Sequence, residues 1–181
     1  MMELFGGLKL IKLKTFQDER GQFSETFVLK DDLYPVKFVQ DNCSVSKLGT
    51  IRGMHYQMKV PQTKLVYCLA GRVLDVAVDL REDSPDFGKW YSVELSSENN
   101  LALYIPGGFA HGFQALEDNS VVYYKCSSYY MPENDRSLLY NSVDIDWRDL
   151  PQIVSDKDKA GKPFDTCDKY TYKDFSFLKA N

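Results

Sequence analysis

The chain has 181 residues, 44% of them hydrophobic, which is enough for one compact domain over residues 1–181 with a sizeable core. Its 22 basic and 26 acidic side chains leave a net charge of −4, which excludes a field-scale attraction to nucleic acid or to an anionic membrane. Any anionic ligand has to be held by a few local cations.

In chain order, "MMELFGGLKLIKLKTF" is broken by charge every two or three residues, so it is expected to be neither a signal peptide nor an anchor, which would need about 20 apolar residues to span a bilayer. From Leu8 to about Lys125 short apolar alternations follow one another: "FSETFV", "LVYCLAG", "RVLDVAVDLR", "WYSVELS", "LALYIPGG" and "SVVYYKC". In "VLDVAVDL" one face carries Val73, Asp75, Ala77 and Asp79 and the other Leu74, Val76, Val78 and Leu80, the period of a strand with a polar and an apolar face. Turn signals such as "AGR", "EDSPDFG", "SSENN" and "EDNS" separate these runs, and the pattern predicts an all-β antiparallel sandwich or barrel. After Tyr130, Pro, Asn, Asp and Ser mix with isolated hydrophobics, predicting irregular segments and one or two short helices packed on the barrel. No composition break or repeat asks for a second domain. Cys43, Cys68, Cys126 and Cys167 lie far apart without a Cys-x-x-Cys pair, which points to a reduced, cytoplasmic protein rather than a disulfide framework or zinc knuckle.

Only two histidines are present. Gly49 and His55 fit Gly-x5-His, and Pro106, Gly108 and His111 fit Pro-x-Gly-x-x-His. These are the two halves of the cupin signature, so the chain resembles a small jelly-roll barrel with both imidazoles directed into one cavity. Metal-binding cupins place a second histidine two residues after the first and a glutamate further on. Here Gln57 stands at the first of these positions and no glutamate lies between it and Gly71, so no metal is expected. What remains is a base, His55, with Arg52, Lys64 and several phenols nearby, a set suited to proton abstraction beside a carbonyl.

Six segments, "DERGQFSETF", "FVQDNCSVSKLGTIRGMHYQ", "QTKLVYCLAGRVLDVAVDLREDSPDFGKW", "LSSENNLALYIPGGFAHGF", "YYKCSSYYMPEND" and "VSDKDKAGKPF", resemble the dTDP-4-dehydrorhamnose 3,5-epimerase family in order and spacing, from about Asp18 to Phe164. The resemblance implies a cofactor-free epimerase of a nucleotide-linked 4-keto sugar, serving surface-polysaccharide synthesis. It gives His55 the role of general base, Asp158 that of its carboxylate partner, Tyr130 that of an acid on the opposite face and Lys64 that of the cation beside the C4 oxygen. From composition alone Asp158 would be a solvated loop residue, with Asp156 the obvious misassignment. Arg20, Phe23, Glu25, Gln40, Asn42, Arg52, Gln57 and His111 match positions around the nucleotide-sugar cleft, with the arginines as diphosphate partners. Asp75 and Asp79 are assigned to structure. The resemblance also implies a homodimer that exchanges N-terminal strands, so that some of these residues serve the neighbour's cavity.

The chain departs from the family where a Trp-Asn-Asp-Pro segment is common. It has Tyr140, Asn141, Ser142 and Val143 there, and Arg148 follows Trp147; this region is expected near the nucleotide, so its divergence weakens the case for thymine. The "QMKVPQTK" loop is one residue shorter than the common form. Related substrates are dTDP-4-keto-6-deoxyhexoses and GDP-4-keto-heptoses. Related activities are epimerisation at C3 only or C5 only and 3,4-ketoisomerisation. A sugar-binding cupin without catalysis and a metal-dependent oxygenase are the remaining readings.

Overall fold

The alternating runs become strands in a computed structural model of the chain, in which residues 1–29, 36–171 and 173–175 are described. The strands are β1 (Met2–Glu3), β2 (Lys9–Lys12), β3 (Lys14–Asp18), β4 (Gly21–Glu25), β5 (Gln40–Ser46), β6 (Thr50–Gln57) and β7 (Lys64–Ala70). They continue with β8 (Arg72–Asp79), β9 (Trp90–Ser96), β10 (Leu101–Ile105), β11 (Phe109–Ala115), β12 (Ser120–Cys126), β13 (Asp135–Ser137) and β14 (Ile153–Val154). The single α-helix among the described residues, α1, spans Asp156–Lys159.

Two six-stranded sheets face each other. The first runs β1-β2-β10-β7-β12-β5; the second runs β13-β6-β11-β8-β9, with β14 pairing in parallel to β6. Side chains from both inner faces interdigitate in one core, Val66, Leu103, Ile105 and Val122 from the first sheet meeting Val73, Ala77, Leu95, Phe109 and Phe113 from the second. This is the cupin-type jelly roll that the histidine motifs predict. Strands β3 and β4 form a separate hairpin outside both sheets.

Both faces of β8, the polar and the apolar, are buried. From Val73 to Leu80 every residue is at most 2% exposed. Val73 and Ala77 enter the core between the sheets. Leu74, Val76, Val78 and Leu80 pack on the outer side against Leu138, Ile145, Cys167 and Tyr170. The irregular C-terminal segments therefore close the back of the second sheet. The polar alternation points inward, where Asp75 and Asp79 are paired with His111 and Arg81, as buried charges require.

One glycine is dictated by the site. Gly53 has φ +124°, and a Cβ there would lie 2.6 Å from Gly112 Cα and 2.8 Å from the His111 carbonyl. Only glycine lets β6 run this close to β11, beside the point where His55 and His111 are direct cross-strand partners.

Candidate active site

Residues of both sheets and of the 153–158 segment line a cavity of about 910 Å³, within the upper range of small-molecule sites. His55, Lys64, His111 and Tyr130 all border it, as do Gln40, Asn42, Arg52, Asp135, Lys157 and Asp158. Four cations, Lys47, Arg52, Lys64 and Lys157, meet two carboxylates, Asp135 and Asp158, and each carboxylate is already paired. An acidic chain thus keeps a locally positive cleft, the condition for holding an anion.

Asp158 reaches His55 across 103 positions of sequence because β14 registers against β6, Ile153 opposite Thr50 and Val154 opposite Ile51. The next residue, Ser155, caps α1 by accepting from the Asp158 amide, the usual service of serine at a helix start. The carboxylate lands 2.6 Å from His55 Nε2 through Oδ1, while Oδ2 accepts from the Gly53 N–H at 3.2 Å. Burial pushes the Asp158 carboxyl upward, but the His55 ring, the Gly53 amide and Ser155 outweigh it and hold the group below the usual 3.8. With Nε2 committed to an ionised partner, Nδ1 is the nitrogen left to take a proton. Asp156, the alternative in the same motif, has a fully solvated side chain.

Lys64 opens β7 in the middle of the first sheet and crosses toward the second, its Nζ lying 3.5 Å from the His55 carbonyl and 5.8 Å from the Tyr124 ring. It is 7% exposed, and burial lowers its pKa against the opposing charges of Cys126, Asp75 and Asp135. His111 is equally buried and lies 2.9 Å and 3.1 Å from the two Asp75 oxygens. Burial dominates there too and lowers the imidazole pKa, with Asp75 opposing. Asp75 is thus structural in a specific sense: it fixes the orientation of the second cavity histidine.

Gln40 and Asn42 lie on β5 and bond to each other at 3.0 Å. The Arg52 guanidinium is steadied by Ser46 Oγ and the Val45 carbonyl. Tyr130 is half exposed, its amide donating to Gln40 Oε1 at 2.8 Å and its hydroxyl to Asp135 Oδ2 at 3.2 Å. Desolvation first, and the Asp135 charge second, raise its phenol pKa.

Gln57 does not border the cavity, contrary to its assignment to the cleft. It is 3% exposed; Nε2 donates to the Val60 and Tyr129 carbonyls and Oε1 accepts from the Met131 N–H. Its amide therefore grips the chain on both sides of Tyr130. Gln57→Leu strands these groups, each costing about 1–3 kcal/mol if left unpaired and buried. At roughly 2–4 °C per kcal/mol for a chain of this size, the expected result is a clear drop in the thermal midpoint. An unchanged melt would mean that the 129–131 segment is held by other contacts.

Arg20, Phe23 and Glu25 are not brought to the cavity of their own chain. They sit on the β3–β4 hairpin, where Arg20 pairs with Asp18 at 2.6 Å, Glu25 lies 3.7 Å from Lys14 and Phe23 is 67% exposed. The divergent stretch 140–148 also lies away from the cavity: Val143 and Trp147 pack behind the second sheet, and Trp147 Nε1 donates to the Tyr140 carbonyl. Among the cavity residues that no sequence motif singles out are Asp135 and Lys157, which pair at 2.5 Å. Among the described residues no group of three or more His, Cys, Asp or Glu is placed to hold a metal ion.

A family model described as dTDP-4-dehydrorhamnose 3,5-epimerase matches residues 4–166. A protein of that name from Methanothermobacter thermautotrophicus is 45% identical over 167 residues, covering 87% of this chain and 89% of the relative. A crystal structure of dTDP-6-deoxy-D-glucose-3,5-epimerase from Legionella pneumophila, in complex with dTDP-4-keto-L-rhamnose, superposes with a TM-score of 0.88 at 44% identity, over 92% of this chain and 93% of that one. ChmJ, a 3'-monoepimerase from Streptomyces bikiniensis solved with dTDP-quinovose, gives 0.91 at 31% identity, over 99% and 98%.

Proposed function

We propose, from the premise that this chain belongs to the dTDP-4-dehydrorhamnose 3,5-epimerase family and is an isomerase acting on a carbohydrate, that it inverts C3 and C5 of a dTDP-4-keto-6-deoxyhexose. The observation that carries this reading is the His55–Asp158 pair, 2.6 Å apart at a cavity that also presents Lys64 and Tyr130. His55 removes a proton from the carbon beside the C4 ketone. Lys64 stabilises the enolate oxygen, and Tyr130 returns a proton to the opposite face of the ring. Arg52 holds the diphosphate, with Gln40, Asn42 and His111 orienting the sugar. The names of the relatives favour dTDP over GDP.

The hairpin completes the site from a second copy of the chain. Phe16 and Phe23 form an exposed aromatic pair on an element outside both sheets, with Arg20 beside them, which suits delivery of these side chains to a partner's cleft better than exposure to water. All four cysteines are free thiols, in keeping with a reducing cytoplasm.

A single-centre epimerase is the second reading, favoured by the TM-score of 0.91 to a 3'-monoepimerase. Incubation in D₂O with dTDP-4-keto-6-deoxyglucose, and separately with a GDP-4-keto-heptose, separates the possibilities by NMR. Deuterium is expected at both C3 and C5 of the dTDP sugar. Exchange at one carbon alone would establish the second reading, and none with either sugar would overturn both.

A further inference from the structure

We propose that Asp135 and Lys157 form a proton relay that recharges Tyr130 from solvent while the sugar stays bound. This rests on the reading of Tyr130 as the acid for both centres. Asp135 Oδ2 accepts from the Tyr130 hydroxyl at 3.2 Å and from Lys157 Nζ at 2.5 Å, so one oxygen joins the two donors. Asp135 lies on β13, opposite Gln57, two residues before the position opposite His55, and Lys157 immediately precedes Asp158. The relay is therefore carried by α1, which also holds Asp158, and by β13, the strand paired to the one that carries His55. The Asp135 side chain is mostly buried and that of Lys157 is 56% exposed, so the path runs from the cavity wall outward to water.

Two inversions in one residence require Tyr130 to be recharged between them. The first protonation breaks the phenol O–H as a C–H bond forms, and it leaves a phenolate beside the Asp135 carboxylate. Recharging then breaks an N–H of Lys157 as an O–H forms on Asp135 Oδ2, and that O–H breaks as the phenol re-forms. The neutral Lys157 amine takes a proton from water, balanced by the one His55 releases to solvent. Both ends of the path shift the same way: burial and Asp135 raise the Tyr130 phenol from its ordinary 10.0, and at Lys157 the hydrogen bond and charge of Asp135 overcome burial to raise the amine from 10.5.

Within the Lys157→Met variant, exchange at the second carbon is expected to lag exchange at the first by about 100-fold more than in wild type, the lower end of the range for an acid–base group. Deuterium on one carbon only is the signature at short times, and Asp135→Asn should reproduce it. Lys157→Arg keeps the ion pair but carries a guanidinium that does not give up its proton, so it should behave like Lys157→Met. Restoration of the second exchange by arginine would overturn the relay in favour of a purely positioning ion pair. Variants that label both carbons in the wild-type ratio would overturn it outright. Failure of the wild-type protein itself to label either carbon would instead bring down the epimerase reading, and the relay with it.

Discussion

Replacing His55 by Asn is expected to reduce deuterium exchange at both C3 and C5 to near background. A positioned base contributes a factor of about 10²–10⁴, or roughly 2.7–5.5 kcal/mol of barrier at 1.36 kcal/mol per decade. Nothing nearby can substitute. The one other imidazole in the chain, His111, is 5% exposed, spends Nε2 on Asp75 and has its pKa lowered by burial. Asparagine fills similar space and can still donate to Asp158, so the loss reports the base rather than a collapsed site. Asp158→Asn should cost less, about 10–100-fold, the usual effect of removing the partner that orients an imidazole. Initial exchange rates in D₂O check both. A His55→Asn protein within tenfold of wild type would put the base elsewhere, and equal losses for the two variants would mean that the carboxylate does more than orient the ring.

The strands were legible because period-two alternation and turn residues are local signals: "LVYCLAG", "RVLDVAVDLR" and "WYSVELS" became β7, β8 and β9 within a residue or two. The burial of the outer face of β8 was not legible, since Leu138, Ile145 and Tyr170 arrive from segments with no periodicity of their own. The site divides in the same way. His55 and His111 could be paired from motif spacing, but the Asp158 contact spans 103 positions and was recoverable only through family resemblance. Asp75 reads as the polar side of a strand because nothing local reveals that β11 brings His111 opposite Ala77, one pleat away. No local pattern singles out Asp135 or Lys157, and Gln57 is placed at the cleft by resemblance alone. Its amide instead serves backbone groups that no sequence pattern announces.

Lys64→Met should move activity and stability in opposite directions. Met approximates the volume of the lysine stem without the charge, so the β7 position stays filled. Exchange is expected to fall about 10²–10³-fold, the usual cost of deleting one preorganised donor to a developing oxyanion. Stability is expected to rise. Lys64 is 7% exposed and its pKa is lowered from 10.5, chiefly by burial, so the folded protein holds this proton less tightly than the unfolded chain does. Where the unfolded state binds more protons, stability increases with pH. The cost of the buried ammonium is therefore complete below the lowered folded pKa and vanishes as pH rises to 10.5. The variant's advantage should accordingly be largest below the lowered folded pKa and shrink as pH rises toward 10.5. A gain of about 1 kcal/mol would raise the midpoint by roughly 2–4 °C. Melting curves across that range, beside exchange rates at neutral pH, test both halves. A variant less stable than wild type at neutral pH would show that the His55 carbonyl and the Tyr124 ring more than offset the desolvation of the charge. A variant that is more stable but catalytically crippled would show why a cation sits in the middle of a sheet: the fold tolerates it, and the enolate requires it.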